Sequence, residues 1–445
     1  MFIPSFRFST RALLSGLFCF SVAACQGQIR FSTNPTRFLV CDKGVGSFAA
    51  KLPDGPSNSG VTVSITAAKQ VNGLAVRACQ AKLTWGHHEL VVAPEAAQAD
   101  IDVMGADLGL DAPVVAFQIK ASDADGDVKY EIYSLSKPPQ LLRTIEGRDF
   151  FSAADAMLDG SVEIWTTDAA AIDGFEGLPR SLFDSPPTVV LRFEKKKLID
   201  VSSEFRPFFD RQIADLRGEL DAQQLRDFRQ SDGKLSNDQP TADKPPDSLS
   251  ATKIRVLEIV WSYLYSARDR DAWNALAEMW PPADLNRIHA EIANAQSRGL
   301  RAQVDGVSHT ALPLRHGQRA EIYEGLGPRE LVPEDPARHN SVLSAQEAHS
   351  EHADTAPRQI LVKVPPAHNG EHWAEGKQLE LVVDEAGKVR SARVMTPLLD
   401  KSAIPEAEAQ DADWLAAAAG WKYIPAFKSG HPKPFRFMLF VQRDQ

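Results

Sequence analysis

The chain has 445 residues, 43% of them hydrophobic, with a formal net charge of −10. That length suggests two to four domains with real cores. Loss of the first 24 residues, which hold Arg7, Arg11 and no acidic residue, leaves −12. So acidic a chain is poorly suited to nucleic acid or to an anionic membrane surface.

Arg7 and Arg11 precede an apolar run, 12–24, and then Cys25. This is the layout of a secretory leader, too short to persist as a spanning helix. Val22-Ala23-Ala24-Cys25 resembles a bacterial lipobox, which implies a lipid anchor on Cys25. With Gln26 next, the resemblance implies outer-membrane sorting, facing the periplasm. Cleavage by the ordinary signal peptidase, with Cys25 incidental, is the alternative. Of four cysteines, Cys41 and Cys79 then remain. An oxidising compartment favours their pairing, and two buried thiols are the alternative.

Short alternating runs separated by turn residues predict a small β domain over 25–98. A second β region, 99–200, carries acidic turns. Asp123, Asp125, Asp127 and Glu131 fall at loop positions one, three, five and nine. Asp155, Asp159 and Glu163 fall at one, five and nine. Both loops resemble the acidic loops of FG-GAP (integrin propeller) repeats, which implies oxygen ligands for Ca²⁺. Val128 and Met157 depart from that pattern, so the residues read first as metal-free hairpin turns, with calcium as the alternative.

Ile213, Leu216, Leu220 and Leu225 fit an amphipathic helix within 201–230. A polar, proline-containing linker follows at 231–250. The strongest helical pattern is 251–300. Ile254, Leu257, Val260, Trp261 and Leu264 share one face, and Trp273, Leu276, Ala277 and Trp280 share another. This predicts a small helical bundle, with the tryptophans as core. Residues 301–357 show little periodicity and read as a connector.

The last segment, 358–445, opens with an extended run, 358–364. Leu379, Leu381 and Val383 then alternate through a strand, Asp384-Glu385-Ala386-Gly387 forms a turn, and 389–394 completes a hairpin. An alanine-rich helix around Trp414 ends at Gly420. Trp421-Lys422-Tyr423-Ile424-Pro425 leads into a strand with Phe435, Phe437, Leu439 and Val441 on one face. This strand-strand-helix-strand order, with Trp421, Lys422, Tyr423 and Pro425 at the helix exit, resembles the C-terminal domain of TonB-type energy transducers. The resemblance implies a periplasmic module that binds an outer-membrane receptor segment by strand addition, here along 435–441. The family's uncleaved membrane helix and proline-rich rod have no counterpart in this sequence, so energy coupling is not implied.

His368-Asn369-Gly370-Glu371-His372 matches the H-x-x-E-H pattern of zinc peptidases. That chemistry needs a helix, and Pro365-Pro366 with Asn369-Gly370 is turn chemistry. The run reads as a loop, and a hydrolase at His368, Glu371 and His372 is the remote alternative. No nucleophile elbow, P-loop or dinucleotide fingerprint occurs in the sequence. The sequence therefore predicts a multidomain α+β envelope lipoprotein. It has an N-terminal all-β region, a central helical bundle and a TonB-like C-terminal domain. It is non-catalytic, and its partners are envelope proteins, outer-membrane receptors among them. A calcium- or ligand-binding protein is the alternative.

Overall fold

The computed structural model describes residues 38–52, 60–68, 77–122, 126–234, 247–309, 343–344, 356–365, 377–395 and 404–441. A two-residue strand β1 (Cys41–Asp42) precedes the first meander of β2 (Phe48–Lys51), β3 (Thr62–Ala67), β4 (Cys79–Trp85) and β5 (His88–Ala96), all antiparallel. β6 (Gln98–Met104), β7 (Val114–Lys120), β8 (Val128–Ser134) and β9 (Leu141–Gly147) form a second meander, with β1 added beside β6. A third contains β10 (Ser152–Ala154), β11 (Glu163–Thr167), β12 (Thr188–Glu194) and β13 (Lys197–Asp200), with β14 (Gly306–Val307) parallel to β13.

The three sheets stack because the middle one is apolar on both faces. Successive strand side chains point to opposite sides. In β7, Val115, Phe117 and Ile119 therefore join a core with Val63, Ile65 and Leu83 of the first meander. Val114 and Ala116 join another core with Ile164 and Leu191 of the third. Cys41 and Cys79 are disulfide-bonded and tie the second sheet to the first.

α1 (Ala169–Ile172) lies between β11 and β12. α2 (Arg206–Glu219), α3 (Ala222–Arg229), α4 (Ser248–Tyr265), α5 (Asp269–Met279) and α6 (Leu285–Arg298) follow the third sheet. The predicted helix over 201–230 is two helices. Asp221 accepts hydrogen bonds from the backbone N–H groups of Gln223 and Gln224, capping a fresh helix start. α4 is buried nearly all round, from Ser250 to Tyr265. Such a helix is a core element. Its Trp261 packs edge-on against Phe175, 5.6 Å between ring centres, within the same core that receives Ile164 and Leu191. The helices thus share their core with the third sheet.

The C-terminal elements are β15 (Leu343–Ser344), β16 (Arg358–Leu361), β17 (Lys377–Val383), β18 (Val389–Val394), α7 (Ile404–Ala419), β19 (Lys422–Ile424), β20 (Ala426–Lys428), β21 (His431–Lys433) and β22 (Phe435–Val441). A four-stranded sheet runs in the order β15-β22-β17-β18. Trp414 and Ala418 of α7 pack with Leu379, Leu381, Val383 and Val389 in a third core. β16 pairs with β19, and β20 with β21. Ile360, Ile424 and Phe427 reach into the core of the first two sheets. The chain is a mixed α+β protein with seven α-helices among its described residues, and none of its described sheets closes into a barrel.

Candidate functional site

The last strand, β22, is the natural place to look for a binding edge. One side is fully paired, antiparallel, with β17 from Lys377↔Val441 to Val383↔Phe435. On the other side, among the described residues, only β15 lies beside it, parallel, with Leu343 opposite Phe435 and Ser344 opposite Arg436. Phe435 is buried, and Phe437, Leu439 and Val441 are half-buried against the α7 core. These four side chains face inward, so what the strand offers outward is its backbone edge and the opposite face. On that face Met438 is 45% exposed and Phe440 59% exposed. Strand alternation places both on the face opposite Phe437 and Leu439. Their alternation with the inward aromatics is the signal that finds them.

The helix-exit residues are structural. Trp421 is buried and its indole N–H donates to the Lys363 carbonyl, 2.8 Å away. Tyr423 is buried, edge-on to Phe437, and burial pushes its phenol well above the ordinary value. Pro425 is buried beside it. Gly387 ends the hairpin turn with φ +80°, and a Cβ there would meet the Tyr423 carbonyl at 1.8 Å. Only glycine permits that approach.

Lys422, on β19, docks the C-terminal elements onto the β stack. Its ammonium pairs with Asp100 of β6, which is fully buried. Burial pulls the Lys422 ammonium below its ordinary value, and Asp100 opposes that shift. Lys388, just past the hairpin turn, pairs with Asp102 and donates to the Asp102 carbonyl at 2.8 Å. Asp102 also accepts the Tyr130 hydroxyl at 2.7 Å and the Ala153 N–H at 2.8 Å. Two carboxylates inside the apolar stretch 99–104 signal buried cationic partners. The sequence alone does not say which lysines they are.

Beside these pairs lies a group of buried carboxyls. Asp384 accepts the N–H groups of Ala386 and Lys388 within its own turn, and the Asp155 N–H at 3.0 Å from across the junction. Asp155 accepts the Asp159 and Gly160 N–H groups at 3.1 and 2.8 Å, and its carboxyl lies beside that of Glu385. Glu163 accepts the Ala156 N–H at 3.3 Å and lies 3.5 Å from Arg192. Burial, with Asp155 adding to it, pushes Glu163 up to about 8. Burial pushes Asp384 up to about 7, against the pull of Arg390. Burial and the hydrogen bond to Asp155 push Glu385 up to about 9.

The described residues of the acidic loops have protein partners. Asp155 spends its oxygens on its own turn and on Glu385, and exposed Asp159 accepts the Ser161 N–H at 3.0 Å. Asp127 is exposed and lies 3.3 Å from Arg148. Glu131 accepts the Tyr133 hydroxyl at 2.8 Å. Among the described residues no group of three or more His, Cys, Asp or Glu side chains is arranged to hold a metal ion. Asp123, Asp125, Cys25, His368, Glu371 and His372 lie outside the described residues.

The carboxyl group makes stability pH-dependent. Glu385, Glu163 and Asp384 have folded pKa values above those of the unfolded chain. The folded state therefore binds more protons, and stability falls as pH rises. The loss runs from the ordinary carboxylate range up through about 9 for Glu385. Urea unfolding between pH 6 and 9 should show this decline. Glu385→Gln, which keeps a donor towards Asp155, should flatten it by up to roughly 1.4 kcal/mol per pH unit. An unchanged slope would remove Glu385 from the group.

No family model, curated protein or solved structure matches this chain.

Proposed function

We propose that the chain is a non-catalytic cell-envelope protein, lipid-anchored through Cys25 at the outer membrane and facing the periplasm. Its C-terminal sheet binds an extended segment of an envelope protein, such as an outer-membrane receptor, by strand addition at β22. One observation supports this most. Among the described residues nothing pairs with the outer edge of β22 over 437–441, and Met438 and Phe440 on that strand are exposed apolar side chains. An open edge offers unpaired N–H and C=O groups to an incoming strand, and the adjoining apolar residues offer it side-chain contact.

The test is a photo-crosslinking residue placed at Met438 or at Phe440 in cells, with Leu141 on exposed β9 as control. A discrete adduct is expected from 438 and 440 and not from 141. With the crosslinker at 438, Phe440→Asp should reduce the adduct several-fold. Because Phe440 is exposed, that change should alter stability by no more than about 0.5 kcal/mol. No adduct from either position would sink the reading.

A further inference from the structure

The β20–β21 hairpin is fixed at its base and basic on its outer face. Phe427, which pairs with Pro432, is buried in the core of the first two sheets. A Cβ on Gly105 would meet both Leu52 and Phe427, so the hairpin sits beside the end of β2. Successive positions on a strand alternate between faces. Lys428 and its pair His431, together with Lys433, therefore share the face turned away from Phe427. His431 and Lys433 are exposed, and Lys428 is half-buried. Two more cations stand at the hairpin's base. Arg358 of β16 pairs with Ile424, just before β20, and donates to the Lys51 carbonyl. Both Arg358 and Lys51 are exposed.

Among the described residues, no carboxylate pairs with Lys51, Arg358 or Lys433. Asp100 and Asp102, the buried carboxylates beneath β19, are taken by Lys422 and Lys388. From 414 to 441 the sequence holds Lys422, Lys428, Lys433 and Arg436 and no Asp or Glu. In a chain of net charge −10 that is a local reversal of sign. We propose that the outer face of the β20–β21 hairpin, with Arg358 and Lys51, is a docking surface for an acidic polypeptide segment of a partner. The inference goes beyond strand addition at β22 and does not depend on it. Range favours a polypeptide over an anionic bilayer. Exposed charges are screened beyond about 10 Å at ordinary salt. A segment lying on the hairpin meets the local cations alone. A bilayer is an extended plane, so it also meets the acidic remainder of the chain, which it repels. Because Phe427 anchors the hairpin in the core, little ordering opposes binding.

The test is fluorescence anisotropy of a labelled oligo-glutamate peptide titrated with the full chain at low salt. Saturable binding is expected, weakened about tenfold or more at ordinary salt. Lys433→Glu and Lys51→Glu should each weaken it about three- to tenfold, and the double variant further. Lys196→Glu, on the lysine-rich turn between β12 and β13, should leave it unchanged. All three lysines are exposed, so each variant should keep the wild-type urea midpoint, which separates lost binding from lost fold. No saturable binding at low salt overturns the proposal. Equal weakening by Lys196→Glu also overturns it, since any surface lysine would then serve. Phosphatidylglycerol vesicles are the second probe. Vesicle binding that is lost in Lys433→Glu, with no peptide binding, would assign the hairpin to lipid phosphate and overturn the polypeptide. The crosslinks from Met438 and Phe440 are read separately, so failure here leaves the β22 reading standing.

Discussion

Replacing Lys422 with methionine is expected to destabilise the fold by about 3–5 kcal/mol. Asp100, its partner, is fully buried and, among the described residues, otherwise accepts from the Val40 N–H at 3.1 Å and Gln118 Nε2 at 3.4 Å. Methionine keeps an unbranched apolar stem, so the packing loss is small. What is lost is the charge that balances a carboxylate inside the protein, and an unpaired buried charge is far costlier than the pair is worth. Asp100→Asn alone strands the ammonium and should also destabilise. The double variant, Lys422→Met with Asp100→Asn, should recover much of the loss, because neither charge is then buried alone. Urea unfolding at pH 7 of the four proteins gives the coupling directly. A cost under 1 kcal/mol for Lys422→Met would mean that water reaches Asp100. The same physics applies to Lys388 and Asp102. Together the two pairs make the C-terminal sheet part of a larger body. Cut away from the β stack, 376–445 would expose Ile424 and Phe427 and leave both lysines without their carboxylates.

What was legible in the sequence follows from range. The hairpin of β17 and β18 is written in strict alternation around Asp384-Glu385-Ala386-Gly387, and the face shared by Ile254, Leu257, Val260, Trp261 and Leu264 marks α4. Both are local signals. β19, β20 and β21 span three residues each, too short for any period to show. The break between α2 and α3 hung on Asp221 acting as a cap, while Leu220 and Leu225 continued the helical spacing across it. The inward face of β22 was readable, but a strand's pattern does not reveal which edge is paired, and β15 comes from 92 positions upstream. The junction was the least visible. Lys422 and Asp100 are 322 residues apart, and the carboxylates within 99–104 mark a buried pair without naming its lysine. The spacing of Asp155 with Asp159 and Glu163 points to a loop of oxygen ligands. What decides its role is that its oxygens close its own turn and meet Glu385 from the far end of the chain.

Removing the Cys41–Cys79 bridge should cost about 4 kcal/mol. The two cysteines are 38 positions apart, and both side chains are fully buried in the core of the first two sheets. Opening a loop of that size returns conformational freedom chiefly to the unfolded chain, and the chain-entropy relation puts that at about 4 kcal/mol. Two consequences separate this from a packing effect. Cys41→Ala, Cys79→Ala and the double variant should agree within about 1 kcal/mol, because each frees the same unfolded loop. The loss should also fall on the whole cooperative transition, since Cys41 sits beside Ala99 of the second sheet and Cys79 opposite Ala67 and Ala96 in the first. Urea unfolding of the three variants against wild type measures both. Should the single variants differ by more than 2 kcal/mol, the dominant effect would be a local cavity rather than the loop. A common loss below 1 kcal/mol would mean that the unfolded chain is already compact across 41–79, so that closing the loop removes little freedom from it.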